Sequence, residues 1–436
     1  MPHTLKDVLP ATARMRDDGH LEVGGYDLVA LAAEFGTPVY VFCEETFRGR
    51  CRLYKDAFPG PDRVYYAAKA FTSLASFRMA AEEGLGVDCA SGGELHVALT
   101  AGVPVRDIIV HGNNKSDAEL EMAVAAGVGR IAVDSLDELE RLARIAASAG
   151  IRQTIVLRVT PGVEAHTHEY IQTGQEDTKF GMSISSGAAL EAAKRAADLQ
   201  SVELVGAHAH IGSQIFGPEA FGKLVEIMFE YMADVRAATG QTFGELNVGG
   251  GLGIAYTKEE SPADVTAHSR FIRTAVADEA KRYGLPVPAL SVEPGRSIVG
   301  NAMVTLYSVG VVKDIPGIRT YVSVDGGMSD NIRPMLYGAR YSALLANRAN
   351  EPSDKVVTIA GSHCESGDVL IKDVALPSSV GRGDLLAIPA TGAYGYAMSS
   401  NYNKMRRPAV VSVRDGKARV VVRRETYDDL VRLDQV

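Results

Sequence analysis

Four short β-branched runs begin at Val64, Gly86, Ile108 and Arg130, 22 residues apart each time, with Ala/Leu/Glu-rich stretches of helical period between them. That interval suits one strand, one helix and two tight turns. The strands predicted from it are Val64–Lys69, Gly86–Ser91, Ile108–Gly112 and Arg130–Ser135. The helices are Ser73–Glu83, Gly93–Gly102, Asp117–Gly127 and Leu136–Gly150. Thr154–Val159, Leu204–His210, Glu245–Gly250 and Ala289–Glu293 continue the series to eight strands. Eight strands with intervening helices is the count of a (β/α)₈ TIM barrel. A doubly wound sheet is the rival, but no Gly-x-Gly-x-x-Gly follows the first strand.

After Arg296 the helical periods thin out. Met303–Ile315, Thr320–Asp325, Val356–Ala360, Asp384–Pro389 and Ala409–Val413 read as strands joined by Gly, Asp and Pro turns. Thr37–Cys43 is also strand-like and is expected to join them. The expected organisation is α/β: a barrel over 45–300 and a discontinuous all-β domain, a sandwich or barrel, from 1–44 and 301–436.

The 45 Lys and Arg against 54 Asp and Glu leave a net charge of −9, which argues against a nucleic-acid partner. No apolar run approaches the roughly 18 residues of a membrane span. The opening residues lack the basic-then-apolar order of a secretion signal. Cys43, Cys51, Cys89 and Cys364 are too scattered for a disulfide framework or a zinc knuckle. A cytoplasmic globular protein is expected.

In a barrel of this kind the chemistry sits at the strand C-termini. Lys69 closes the first strand, where partial desolvation would make its amine a Schiff-base former. The sixth strand ends His208-Ala209-His210-Ile211-Gly212-Ser213. Residues two apart on a strand share a face, so both imidazoles could enter the mouth, as a metal pair or with one ring flat against a planar ligand. His166-Thr167-His168 is weaker evidence of any metal. Gly249-Gly250-Gly251 ends the seventh strand and frees backbone N–H groups for a phosphate. Glu293-Pro294-Gly295-Arg296 ends the eighth. A lysine, a stacking ring, a phosphate nest and a carboxylate together describe a site for pyridoxal 5′-phosphate. Gly361–Asp368 is a polar run in the β domain around Cys364, too polar a setting for a buried structural cysteine.

These residues, with Gly86-Val87-Asp88-Cys89-Ala90-Ser91 and His363-Cys364-Glu365-Ser366, occur in an order that resembles the fold-type III pyridoxal-phosphate decarboxylases. That family has an alanine racemase-like barrel and acts on diaminopimelate, ornithine, lysine or arginine. His168–Gly174, Lys179-Phe180-Gly181, Arg333-Pro334-Met335-Leu336-Tyr337 and Gly392-Ala393-Tyr394-Gly395 are most similar to its diaminopimelate branch. The resemblance runs from about Pro38 to Pro408.

It implies that Lys69 holds the cofactor, His210 stacks on the ring and Glu293 pairs with the ring nitrogen. Asp88, Ser213, Gly249, Gly250, Gly251, Gly295, Arg296 and Tyr394 complete the cofactor contacts. Arg296, Arg333, Tyr337 and Tyr394 grip the distal end of meso-diaminopimelate, and Glu365 reads its ammonium. Cys364 donates a proton after carbon dioxide leaves. Cys364 and Glu365 reach the neighbouring subunit's barrel, so a homodimer with shared active sites is implied. Three alternatives stay open: a related decarboxylase for ornithine, lysine, arginine or a carboxylated polyamine, a metal amidohydrolase on His208 and His210, and a non-catalytic binding partner.

Overall fold

The structure is a computed structural model that describes residues 5–163 and 178–435. His166, His168 and the 168–174 stretch lie outside the described residues. The chain divides into two compact units, 51–253 with 263–295, and 1–50 with 254–262 and 296–436.

Among the described residues, the barrel of the first unit has eight parallel strands: β1 (Arg63–Ala67), β2 (Gly86–Cys89), β3 (Ile108–Val110), β4 (Arg130–Val133), β5 (Gln153–Thr160), β6 (Val202–His208), β7 (Glu245–Asn247) and β8 (Ala289–Val292). Each pairs with its sequence neighbour, and β8 pairs with β1, so the sheet closes into the expected barrel. Inside it, Tyr65, Ile109, Ala132 and Val156 form a buried apolar layer. Local chemistry supports each early helix. Ser73, Ser91, Ser116 and Ser135 accept a backbone N–H at the starts of helices Leu74–Glu82, Gly92–Ala101, Asp117–Ala126 and Leu136–Ser148. Gly102 and Gly127 end the second and third of these in the left-handed conformation.

Several strands end one to three residues earlier than the hydrophobic pattern predicts. Lys69 lies in a 3₁₀ turn, Ala68–Ala70, beyond β1, and His210 and Glu293 lie beyond β6 and β8.

At the opposite end, Arg130 at the start of β4 and Glu245 at the start of β7 meet in a two-pronged ion pair, with Arg130 Nε donating to Glu245 Oε2 at 2.6 Å. Both side chains are largely buried. Glu245→Gln leaves the guanidinium without its counter-charge and should cost about 2–3 kcal/mol of stability. A lower urea midpoint with an unchanged slope is the expected result.

The second unit is built on a mixed sheet. Val39–Cys43 lies antiparallel to Met303–Leu306 and parallel to Ala409–Val413, so the N-terminal segment belongs to this sheet as expected. Both faces of the sheet are covered. Val304, Leu306, Leu385 and Ala387 join one apolar cluster, and Tyr307, Val309, Leu386 and Ile388 the other, following the two-residue period of a strand. Strands Val369–Leu376 and Lys417–Val422 escaped prediction because exposed charged residues interrupt their apolar runs. No helix among the described residues is long and apolar enough to cross a membrane.

Candidate active site

Glu293 is the buried centre of the barrel's C-terminal mouth. His111, just beyond β3, and Asn247, at the end of β7, each approach its Oε1 at 2.7 Å, while His208, the last residue of β6, approaches Oε2 at 3.1 Å. Burial alone would favour the protonated acid, but His111 and His208 outweigh it and hold the carboxyl well below its ordinary range. Burial brings the His208 imidazole down to about 4. A neutral His208 donates from Nε2 to the ionised Glu293, while its Nδ1 is buried without a partner. Asp88, buried nearby on β2, contrasts with this: burial raises its carboxyl to about 6 despite the opposing pull of His111.

His210 behaves differently from His208. Its Nδ1 accepts the Gly250 N–H at 3.2 Å, so the ring is tied to the glycine turn. Burial, then the positive charge of Lys69, pushes this imidazole well below its usual value and keeps it neutral. The two histidines therefore do not form the metal pair considered from the sequence. One is a donor to Glu293, and the other already accepts a backbone N–H.

The glycine turn has no room for side chains. A Cβ on Gly250 would lie 2.1 Å from the Glu293 carbonyl oxygen, and one on Gly251 would lie 2.3 Å from that of Gly212. Gly249 and Gly251 also adopt φ of +69° and +113°. The Ile215 N–H donates to the Gly251 carbonyl, joining the Ser213 loop to this turn. Lys69 is exposed rather than desolvated, which corrects the expectation from its place in the strand. Among the described residues it makes no hydrogen bond or ion pair, so its amine is open to a ligand.

The second unit holds the arginines. Arg296 is buried, donates to the Tyr256 hydroxyl and lies with its guanidinium 4.9 Å from the Tyr394 ring centre. Tyr394 adopts φ +61°, uncommon for a residue with a side chain. Arg333 opens the short helix Arg333–Tyr337, whose last residue, Tyr337, is half-buried. Its guanidinium donates to the Tyr341 hydroxyl and lies 4.5 Å from the Tyr256 ring centre. Cys364 is exposed, as its polar neighbours suggested, whereas Cys43, Cys51 and Cys89 are buried. Its N–H donates to Asn403 Oδ1 at 3.0 Å, and Glu365 beside it is exposed. The preceding His363 is stacked on Tyr402 and bonded to Asp368 at 2.9 Å.

Sequence reasoning missed His111, Tyr256 and Tyr341, and quoted Asn247 without a role. His111 stood at a strand C-terminus, where the search was aimed, and that position was its one available signal.

Known proteins resemble this chain over nearly its whole length. A profile of the family described as "Pyridoxal-dependent decarboxylase, pyridoxal binding domain" matches residues 44–300. The diaminopimelate decarboxylase of Bacillus subtilis is 48% identical over 429 residues, covering 98% of each chain. The chain belongs to the diaminopimelate decarboxylases. That of Mycobacterium tuberculosis is 47% identical, covering 99% of this chain and 98% of its own. A crystal structure of the M. jannaschii diaminopimelate decarboxylase in co-complex with L-lysine superposes with a TM-score of 0.92 at 35% identity, covering 98% of each chain.

The cofactor of this family is pyridoxal phosphate, and the barrel residues fit it. They offer an unengaged amine, a neutral flat ring, a turn only glycine can form and an ionised carboxylate at one mouth.

Proposed function

We propose that this chain decarboxylates meso-2,6-diaminopimelate to L-lysine and carbon dioxide, the last step of lysine biosynthesis, as a homodimer with shared sites. Bound pyridoxal phosphate supplies the electron sink that accepts the pair left when the carboxylate departs. Lys69 holds the cofactor and later frees the product. His210 packs its neutral ring against the pyridine. Glu293 keeps a proton on the ring nitrogen, with Asp88 beside it. The Gly249–Gly251 turn and Gly295, with Ser213, Arg296 and Tyr394, hold the phosphate; the Gly249 and Gly250 N–H groups are given to Asn247 and His210, so Gly251 and Gly295 supply the backbone donors. Cys364 of the partner subunit delivers the proton that replaces the carboxylate. Glu365 of the partner subunit reads the distal ammonium.

Arg333 carries the choice of substrate. Its guanidinium is buried, no described carboxylate pairs with it, and its Nε has no hydrogen-bond partner. A buried cation held only by aromatic faces and a phenol is incompletely compensated. A second carboxylate on the substrate would complete it in the paired geometry a guanidinium favours. Ornithine, lysine and arginine have no such group. Tyr337, on the same short helix, and Arg296 would complete the grip.

Arg333→Leu should raise KM for diaminopimelate tenfold to a hundredfold, the worth of about 1.5–3 kcal/mol for a charged hydrogen bond. Pyridoxal phosphate affinity should change little. Unchanged KM in steady-state kinetics would mean that the substrate carries no distal carboxylate.

A further inference from the structure

Glu293 must be an anion, and it must be immobile, if it is to keep a proton on a ring nitrogen. A carboxylate offers four lone-pair sites in its plane. Oε1 receives both His111 Nε2 and Asn247 Nδ2, and Oε2 receives His208 Nε2. The amide orientation of Asn247 is fixed from behind, because its Oδ1 accepts the Gly249 N–H at 2.9 Å. Its NH₂ therefore faces Glu293. The remaining nitrogen of His208, Nδ1, is buried without a partner, so this ring has no second donor function to serve. The two imidazoles lie 4.7 Å apart, centre to centre, and bracket the carboxylate from β3 and β6. Three donors from three strand ends leave one acceptor site, on Oε2.

We propose that His111, His208 and Asn247 are positioning residues. They clamp Glu293 as an anion and leave its last acceptor site for the pyridinium N–H, so they set the protonation of the cofactor through Glu293. This deepens the proposed function and rests on Glu293 being the ring-nitrogen partner. Asp88, buried at the same mouth and raised to about 6, shows what burial does to a carboxyl there without such a set of donors. Its charge, with those of Lys69 and Arg158, acts on the same cluster, so the test reads the ring nitrogen directly and leaves pH fixed.

Holoenzyme reconstituted with pyridoxal phosphate carrying ¹⁵N in the ring should show the nitrogen at its pyridinium resonance. His111→Met and His208→Met, which keep bulk but lose the donor, should move it toward the neutral pyridine position. Each should also raise the cofactor dissociation constant roughly tenfold. His111→Gln and His208→Gln, which keep an N–H, should restore the wild-type resonance. Glu293→Gln separates the two levels. If it moves the resonance while the Met variants do not, the clamp is wrong and the Glu293 assignment stands. If it leaves the resonance in place, Glu293 is not the ring partner and the clamp falls with it. Wild-type protein with ¹⁵N-labelled imidazoles gives a check that depends on no variant folding. His111 and His208 should each carry a proton on Nε2, and a bare Nε2 on either ring overturns the clamp.

Discussion

Lys69→Ala should abolish the covalent hold on pyridoxal phosphate and lower turnover by roughly a thousandfold or more. The barrel mouth has a second lysine, so the assignment is a choice. Lys115 donates to the carbonyls of Gly112 and Ala132 at 2.6 and 2.8 Å and pairs with Glu138 at 2.7 Å. Releasing it would leave the Glu138 carboxylate buried and unpaired, at a cost of several kcal/mol. Lys69 has no such ties among the described residues. Borohydride reduction of the holoenzyme, followed by peptide mapping, should place the cofactor on Lys69. A label on Lys115, or a labelled Lys69→Ala protein, would show that the wrong lysine has been named.

Cys364→Ala should cost a hundredfold to ten-thousandfold in turnover, the usual worth of a positioned proton donor. If Cys364 serves the neighbouring subunit, two inactive proteins should rescue each other. Mixed in equal amounts under conditions that exchange subunits, Lys69→Ala and Cys364→Ala make roughly half of all dimers mixed. Each mixed dimer has one site with both lesions and one with neither, so about a quarter of wild-type activity should return. Demonstrated exchange with no recovery would assign Cys364 to its own barrel.

Much of this was legible because strand–helix alternation and the barrel's active end constrain each other. The even spacing of Val64, Gly86, Ile108 and Arg130 pointed to the barrel, and the rule of strand C-termini then singled out Lys69, His210, Gly249–Gly251 and Glu293. Strand ends were read too late, because Lys69 and Glu293 continue an apolar run after their backbone has left the ladder. His111 stayed hidden because its meaning lies in a contact with Glu293, 182 positions away. Tyr256 stayed hidden for a similar reason: it lies between two distant arginines, and no local pattern marks a residue that faces a guanidinium. The roles of Arg333 and Cys364 came from resemblance to a family. The structure places Arg333 in a buried setting and Cys364 in an exposed one.

The most direct measurement is carbon dioxide release by purified holoenzyme supplied separately with meso-diaminopimelate, ornithine, lysine and arginine, with the amino-acid product identified. Release from meso-diaminopimelate with formation of L-lysine, and kcat/KM for the other three lower by at least the hundredfold that one unmatched buried charge allows, is the predicted result. Equal or faster release from ornithine, lysine or arginine would contradict it.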